Sequence, residues 1–582
     1  MRGPYMAVVG IDLGTTNTVV ACVRGGQVLV LADEQGRRLL PSVVSFPPNG
    51  EVLVGQAAKE RRVIDARNTI ASVKRLIGRP WDSAEMARAR RRFAFELKEG
   101  PGHGPLVVVR GQEHTLSEIS SFVVERAKQI AERSLGETVD RAVITVPAHF
   151  NELQRAATKV AGRVAGLDVL RIINEPTAAA LAYGLGRANQ ERVAVYDFGG
   201  GTFDCTLLQL SGNVLEVLAT AGDSFLGGDD LDVAIAERMA EAFLRVHRFD
   251  PRSDAQAFER LSVAGEKVKI ELSLTERTRI QLREAAGSAT LDVDFGITRG
   301  ELETLAGPLV ERTFAVCQEA LAIARLPGNA FDKVILVGGS TRIPLVRRQV
   351  EQFFGTPPLD RVNPDEVVAI GAAVQAAALT ESRARRDIPP APIPGARNPH
   401  PPSRAPAPVL DEDVTLSTDM TALLAEREKR ARSRQTTAAP ALPPVLVDVT
   451  PRALVVETVG GWCDVVVQRN SKIPCERTRA FATSSDAQTV VRVRVAQGEE
   501  AMFRQNTYLG EVELSGLRAA PRGQVTIQVR FEVDESGTLQ VFATDLSTGR
   551  EAYAMLQLVG ISGAESVAAM RARRAAAPLE NA

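Results

Sequence analysis

Val9-Gly10-Ile11-Asp12-Leu13-Gly14-Thr15-Thr16 returns about 185 residues later as Val195-Tyr196-Asp197-Phe198-Gly199-Gly200-Gly201-Thr202. Each copy reads as a strand, an Asp, a tight Gly/Thr turn and a second β-rich run, Thr18 to Val23 in one and Phe203 to Leu210 in the other. A duplicated strand-turn-strand predicts two related lobes whose turns face one cleft. The flanking sequence agrees. AVVGIDLG (7–14), RAVITVPA (141–148), RVAVYDFGGG (192–201) and KVILVGGS (333–340) are apolar runs ending in Gly, Asp or Pro. Helical patterns such as LSEISSFVVERAKQIAERSLG (116–136) lie between them, so residues 6 to about 380 read as an α/β layered domain.

The turns carry the chemistry. A tight turn of glycines exposes several backbone N–H groups at once, the geometry a phosphate needs, and Thr hydroxyls add donors. Asp12 and Asp197, at the strand ends beside those turns, are placed to hold a hydrated Mg²⁺ against a polyphosphate. No GxxxxGK[ST] occurs, so the site is not a P-loop.

Composition narrows the class. A chain of 582 residues exceeds one core and predicts two to four domains. Its 45% hydrophobic and 24% charged residues are ordinary for a globular protein, and a net charge of −1 points to neither nucleic acid nor an anionic membrane. The basic run Arg88 to Arg92 reads as a solvated helix face. Five dispersed cysteines, without CxxC spacing, suit a reducing compartment. The N-terminus has no signal-peptide run and no stretch is apolar enough to span a membrane, so the expected location is cytoplasmic.

Beyond the first domain (1–380) the pattern changes twice. Residues 381–444 are Pro-rich and predict an extended tether, with one short helix near 417–432. Residues 445–560 alternate apolar and polar positions in short runs such as TVVRVRVAQ and TIQVRFEV, which predicts an all-β sandwich. A short helix and frayed tail fill 561–582.

IDLGTTNTVVA (11–21), SVKRLIGR (72–79), VYDFGGGTFDCTLL (195–208), GDSFLGGDDLD (222–232), VGGSTRIPLV (337–346) and NPDEVVAIGAAVQAA (363–377) resemble, in order and near family spacing, segments of the seventy-kilodalton heat-shock (DnaK-type) chaperones. So does AVITVPAHFNELQRAATKVAGRVAGLDVLRIINEPTAAALAYG (142–184). The resemblance covers essentially all of 6–380 and implies an actin-like ATPase of two duplicated, RNase H-like lobes. It implies that Lys74 positions the attacking water and γ-phosphate, that Glu175 and Asp204 organise water and metal, and that Thr202 lies at the γ-phosphate. By the same token Gly14, Thr15, Thr16, Gly199, Gly200 and Gly201 cradle phosphates. Glu266, Lys269 and Ser273 match the adenosine-binding helix. Gly338, Gly339, Ser340, Arg342 and Asp365 match the adenine side. ATP or ADP with Mg²⁺ is the implied cofactor, with K⁺ a possible companion, and Asp12 and Asp197 hold the metal through water.

Residues 447–556 resemble the family's peptide-binding sandwich, with Val456, Val459, Phe481, Val491 and Val493 as pocket and arch candidates. The implied partners are an unfolded client polypeptide, a J-domain cochaperone through Arg171, Asn174, Thr177 and Asp448, and a nucleotide-exchange factor. Four departures stand out. His149 replaces the family's Tyr, Glu152 its Asp, and Ser484 a small apolar arch residue. The fourth is in the layout: about 60 extra residues precede Val445-Leu446-Val447-Asp448, and about 20 follow the sandwich where the family has a helical lid. A flexible tether of that length spans roughly 40–45 Å, so docking of the linker is possible but less enforced, and weaker coupling with faster peptide release is expected. The leading expectation is an ATP-dependent chaperone. An ATP-switched adaptor for one dedicated client is the alternative, and a small-molecule kinase the third reading.

Overall fold

The computed structural model describes residues 7–184, 190–286, 289–360, 362–386, 444–555, 563–576 and 579. The short helix expected near 417–432 lies outside them.

Two sheets share one pairing plan. In the first, Ala7–Leu13 pairs antiparallel with Asn17–Arg24 and parallel with Val139–Val146, which pairs parallel with Asp168–Asn174. In the second, Gln190–Phe198 pairs antiparallel with Phe203–Ser211 and parallel with Lys333–Val337, and Val214–Asp223 extends the sheet. The duplicated sequence thus builds duplicated topology. Helices cover the strands on both faces, which is why the strands are apolar runs rather than alternating ones: Val9, Ile11, Val193 and Val195 are all fully buried. Helix Leu116–Leu135 shows how local chemistry sets its ends. Thr115 and Glu118 form a capping box, and Gly136 closes it at φ 68°. The lobes meet where Gly10 and Gly371 let backbone touch backbone: a Cβ on Gly371 would lie 1.8 Å from the Ala178 carbonyl oxygen. The last helix of the α/β region, Val367–Arg386, runs past the expected boundary at 380.

From Val445 the chain forms a sandwich. One sheet orders Cys463–Val467, Leu454–Glu457, Val490–Gln497 and Thr507–Ser515; the other orders Cys475–Ala482, Thr526–Val533, Leu539–Asp545 and Glu551–Met555. Alternation does what it predicts in Thr526–Val533, where every second residue is buried.

The linker is a strand. Val445–Val449 pairs in parallel with Val214–Asp223, through Val214 to Val445, Leu215 to Leu446 and Glu216 to Val447, so it becomes part of the second lobe's sheet. It also pairs with Lys472–Ile473 of the sandwich region. Side chains add to the join. Asp448 accepts from Asn174 Nδ2 at 2.7 Å, and Arg171 donates to the Glu535 carbonyl at 3.0 Å. The Glu152 amide donates to Gln497 Oε1 at 3.1 Å, and Leu153 is buried in the sandwich's own core cluster.

Glu152 carries a testable consequence of this join. Burial raises its carboxyl to about 8, with Arg155 opposing the shift and Asp534 adding to it. A carboxyl raised above its unfolded value favours the joined state at low pH, and that stability is lost as pH rises from about 4.5 through about 8. Glu152→Gln is therefore expected to hold the two domains together about threefold to tenfold more strongly than the wild type at pH 8.5, and to equal it near pH 5. Amide exchange of the linker strand across that range reads the effect; identical pH profiles in the two proteins would refute it.

A final helix, Gly563–Ala576, lies on the first lobe. Met570 is buried against Val160 and Val164, Arg573 pairs with the buried Glu118, and Arg574 stacks over the Phe122 ring at 4.3 Å. Met570→Ala should loosen this helix by about 2 kcal/mol, the lower end for a buried methionine in a small cluster. Faster amide exchange confined to 563–576 is the expected readout.

Candidate active site

The two Gly/Thr turns face each other. A Cβ on Gly200 would lie 1.8 Å from Thr16 Oγ1, and one on Gly201 would lie 2.4 Å from Thr15 Cγ2. Only glycine permits so close an approach of the second turn to the first. A cavity between them is lined by Asp12, Gly14, Lys74, Glu175, Thr202 and Gly338, among others. Thr15, Thr16, Asp197, Gly199, Gly200, Gly339 and Asp365 also border it.

Its floor is electrostatically unusual. Asp12, Asp197, Asp204 and Glu175 sit together, and Lys74, 8% exposed, is ion-paired with Glu175. Burial lifts the Asp12 carboxyl to about 7, and the neighbouring Glu175 charge adds to it. Burial, then Glu175 and Asp204, hold Asp197 well above the usual carboxylate range; burial and Glu175 do the same to Asp204. Asp12 accepts from Thr145 Oγ1 at 2.9 Å, and Asp204 accepts the His149 amide at 3.0 Å. Asp197 Oδ2 is buried without a hydrogen-bond partner. Buried, mutually repelling carboxylates with an orphaned oxygen form a site that a cation would relieve. Among the described residues no three His, Cys, Asp or Glu side chains converge as direct metal ligands.

The remaining expected residues fall around the same cleft in two groups. Ser340 Oγ donates to the Gly199 carbonyl at 2.8 Å, and Arg342 is held by Asp365 and Asn363. Gly338, at φ 82°, brings that turn against Phe198. Glu266, Lys269 and Ser273 share helix Ala255–Leu274 and are already engaged. Glu266 accepts from Lys59 at 2.7 Å, Lys269 pairs with Asp232 at 2.7 Å, and Ser273 donates to the Lys269 carbonyl. Glu266 borders a neighbouring cavity that shares Thr15 and Thr16 with the first. The ion pairs Lys59–Glu266 and Arg62–Glu259 lie beside it.

Sequence reasoning missed the scaffold of this site. Arg75 is fully buried, holds Asp230 and the Gly200 carbonyl, and stacks on Phe225 at 4.9 Å. Asp229 accepts from Ser72 Oγ at 2.7 Å. Both acids stand in GDSFLGGDDLD, and Arg75 stands beside Lys74, so the signal was adjacency to named motifs.

A family model described as Hsp70 protein matches residues 8–389 and 439–580. The chain belongs to the Hsp70 family. Its members are ATP-dependent chaperones and ATPases that bind ATP or ADP with Mg²⁺ and polypeptide substrates. The α/β lobes and the β-sandwich accord with Hsp70 membership. No helix among the described residues is long and apolar enough to cross a membrane.

The five pocket and arch candidates differ in exposure. Val456 and Val493 are 3% and 5% exposed, packed into the sandwich core, because inward positions of both sheets close on each other. Val459 is 80% exposed, while Phe481 and Val491 are half-buried. Of the four positions matched to the J-domain interface, Asn174 and Thr177 both donate to Asp448, and Arg171 binds Glu535.

Proposed function

We propose that this chain binds and hydrolyses ATP and uses the nucleotide to govern its hold on extended polypeptide. The observation that carries the reading is the pair of Gly/Thr turns meeting over Lys74, Glu175 and the buried aspartates. The amides of Gly14 to Thr16 and Gly199 to Gly201 supply donors for phosphate oxygens. Asp12 and Asp197 would hold a hydrated Mg²⁺, which supplies charge neutralisation to the polyphosphate when bound. In this reading Lys74 positions the attacking water and γ-phosphate, Thr202 lies at the γ-phosphate, and Glu175 and Asp204 organise water and metal. Charge placement and orientation, with no covalent intermediate, account for the acceleration. Glu266, Lys269, Ser273, Gly338, Gly339, Ser340, Arg342 and Asp365 are the proposed nucleoside contacts.

Polypeptide binding is assigned to the sandwich, through Val459, Phe481 and Val491 as it stands, and through Val456 and Val493 once its sheets part. A J-domain protein is the proposed cochaperone; because Asn174, Thr177 and Arg171 already serve the internal join, its contact must add to or displace that join. A nucleotide-exchange factor is the other proposed partner, and a reducing, cytoplasmic setting the proposed location. The burial of two of the five groove candidates favours a second reading, an adaptor with one dedicated client. ATP turnover with and without a J-domain protein and an unfolded peptide tests both. Stimulation by unrelated unfolded peptides supports the chaperone, stimulation by a single protein the adaptor, and absence of turnover removes the enzyme.

A further inference from the structure

A cavity of about 500 Å³ lies where the sandwich meets the first lobe. It has no part in the cleft described above. Its walls include Arg79, His149 and Gln154 on the ATPase side, and Arg452, Phe503 and Arg504 on the sandwich side.

The lining holds one buried donor without a partner and two guanidinium groups without a carboxylate. Gln154 is 3% exposed, and its carboxamide is fixed by the capping box at the start of helix Glu152–Val164, where its Oε1 accepts the Asn151 amide at 3.1 Å. That leaves Gln154 Nε2 buried without a partner. Arg452 donates to His149 Nε2 at 3.0 Å, so the imidazole accepts and is neutral. Among the described residues, Arg452 has no carboxylate within ion-pair distance, and neither has Arg504 on the rim. Of the lining carboxylates, Glu85 pairs with Arg79 and Glu457 with Arg494, while Asp82 is exposed at the rim and forms no ion pair among the described residues. Arg79 senses the imbalance. Burial lowers its guanidinium, Glu85 opposes this, and the Arg452 charge lowers it further.

A group that satisfies these donors must offer oxygen acceptors and negative charge. The volume suits a small organic molecule, and Phe503 gives the wall an apolar patch for its body. We propose that this cavity binds a small organic anion, a carboxylate or phosphate ester of metabolite size, whose oxygens reach Arg452 and Gln154. Because its walls come from both domains, the bound anion stabilises their joined state and leaves the separated state untouched. The site is independent of whether the chain hydrolyses ATP.

Equilibrium dialysis of the full chain with ATP and Mg²⁺ present tests this, using glycerol 3-phosphate and glutarate as separate labelled probes. One probe per chain is expected to bind with a Kd below about 1 mM. Binding of the first alone assigns a phosphate ester; binding of the second alone assigns a carboxylate. Gln154→Glu keeps an oxygen acceptor for the capping box but places negative charge in the cavity, and should weaken binding at least about tenfold. Arg452→Gln should do the same, while Lys74→Ala, in the nucleotide cleft, leaves it unchanged. Binding that survives both cavity variants, or that is lost in Lys74→Ala, overturns the assignment, as does failure of both probes at about 10 mM.

Discussion

Replacing Lys74 by alanine is expected to lower ATP turnover about 10²- to 10³-fold while nucleotide affinity changes by less than about tenfold. Lys74 is 8% exposed and paired with Glu175, and its charge pulls down the carboxyls of Asp12, Asp197 and Asp204. Without it those groups are left buried and mutually repelling, and Glu175 loses its partner. The γ-phosphate would lose a cation that matters most as charge redistributes in the transition state, so kcat suffers more than binding. Lys74→Arg should not restore the rate, because a planar guanidinium cannot occupy the place of a compact ammonium in so tight a site. Single-turnover hydrolysis beside ADP calorimetry separates the outcomes. Turnover within about threefold of wild type would remove Lys74 from the reaction, and a parallel collapse of ADP affinity would make it a structural prop.

What the sequence disclosed follows a physical pattern. The two hairpins were legible because a strand, an Asp and a Gly/Thr turn are local, and repetition made them conspicuous. That Gly200 and Gly201 are glycines so that Thr15 and Thr16 can touch them was not legible, since the contact joins residues about 185 apart. Lys74 and Glu175 were named from motif resemblance, and nothing in their separate segments announces an ion pair. The groove candidates show the limit of a periodic pattern. Alternation says that Val456 and Val493 point to one face of their sheet, but it cannot say whether that face is closed by the other sheet. The linker was hardest. Val445-Leu446-Val447-Asp448 reads as a strand, yet a parallel partner such as Val214–Glu216 is chosen by tertiary packing rather than by any turn. A long tether predicts docking that is less enforced; the linker strand is paired with Val214–Glu216, and each doubling of the preceding chain costs that closure only about 0.6 kcal/mol.

Asp448 is the buried carboxylate of that join, and Asp448→Asn is expected to reduce the docked population about 100-fold, some 2.7 kcal/mol. Asp448 is 9% exposed; its Oδ2 accepts from Asn174 Nδ2 at 2.7 Å and Thr177 Oγ1 at 3.4 Å, while Oδ1 accepts its neighbour Val449's amide at 2.8 Å. An asparagine there must turn its amide toward Asn174 or toward the Val449 amide, so one buried donor meets another. Burial raises the Asp448 carboxyl, so ionisation already costs something in the docked state, and the hydrogen bonds must outweigh it. The exchanged pair Asn174→Asp with Asp448→Asn reverses donor and acceptor and keeps an acceptor for Arg155, which now donates to Asn174 Oδ1. It should recover at least about tenfold of the loss, a coupling that no pair of independent effects would give. Hydrogen exchange of the Val445 amide, which donates to the Asn213 carbonyl at 2.9 Å across the join, reports docking directly. Unchanged protection in Asp448→Asn would show that parallel strand pairing alone suffices, and that the carboxylate is free to serve an outside partner.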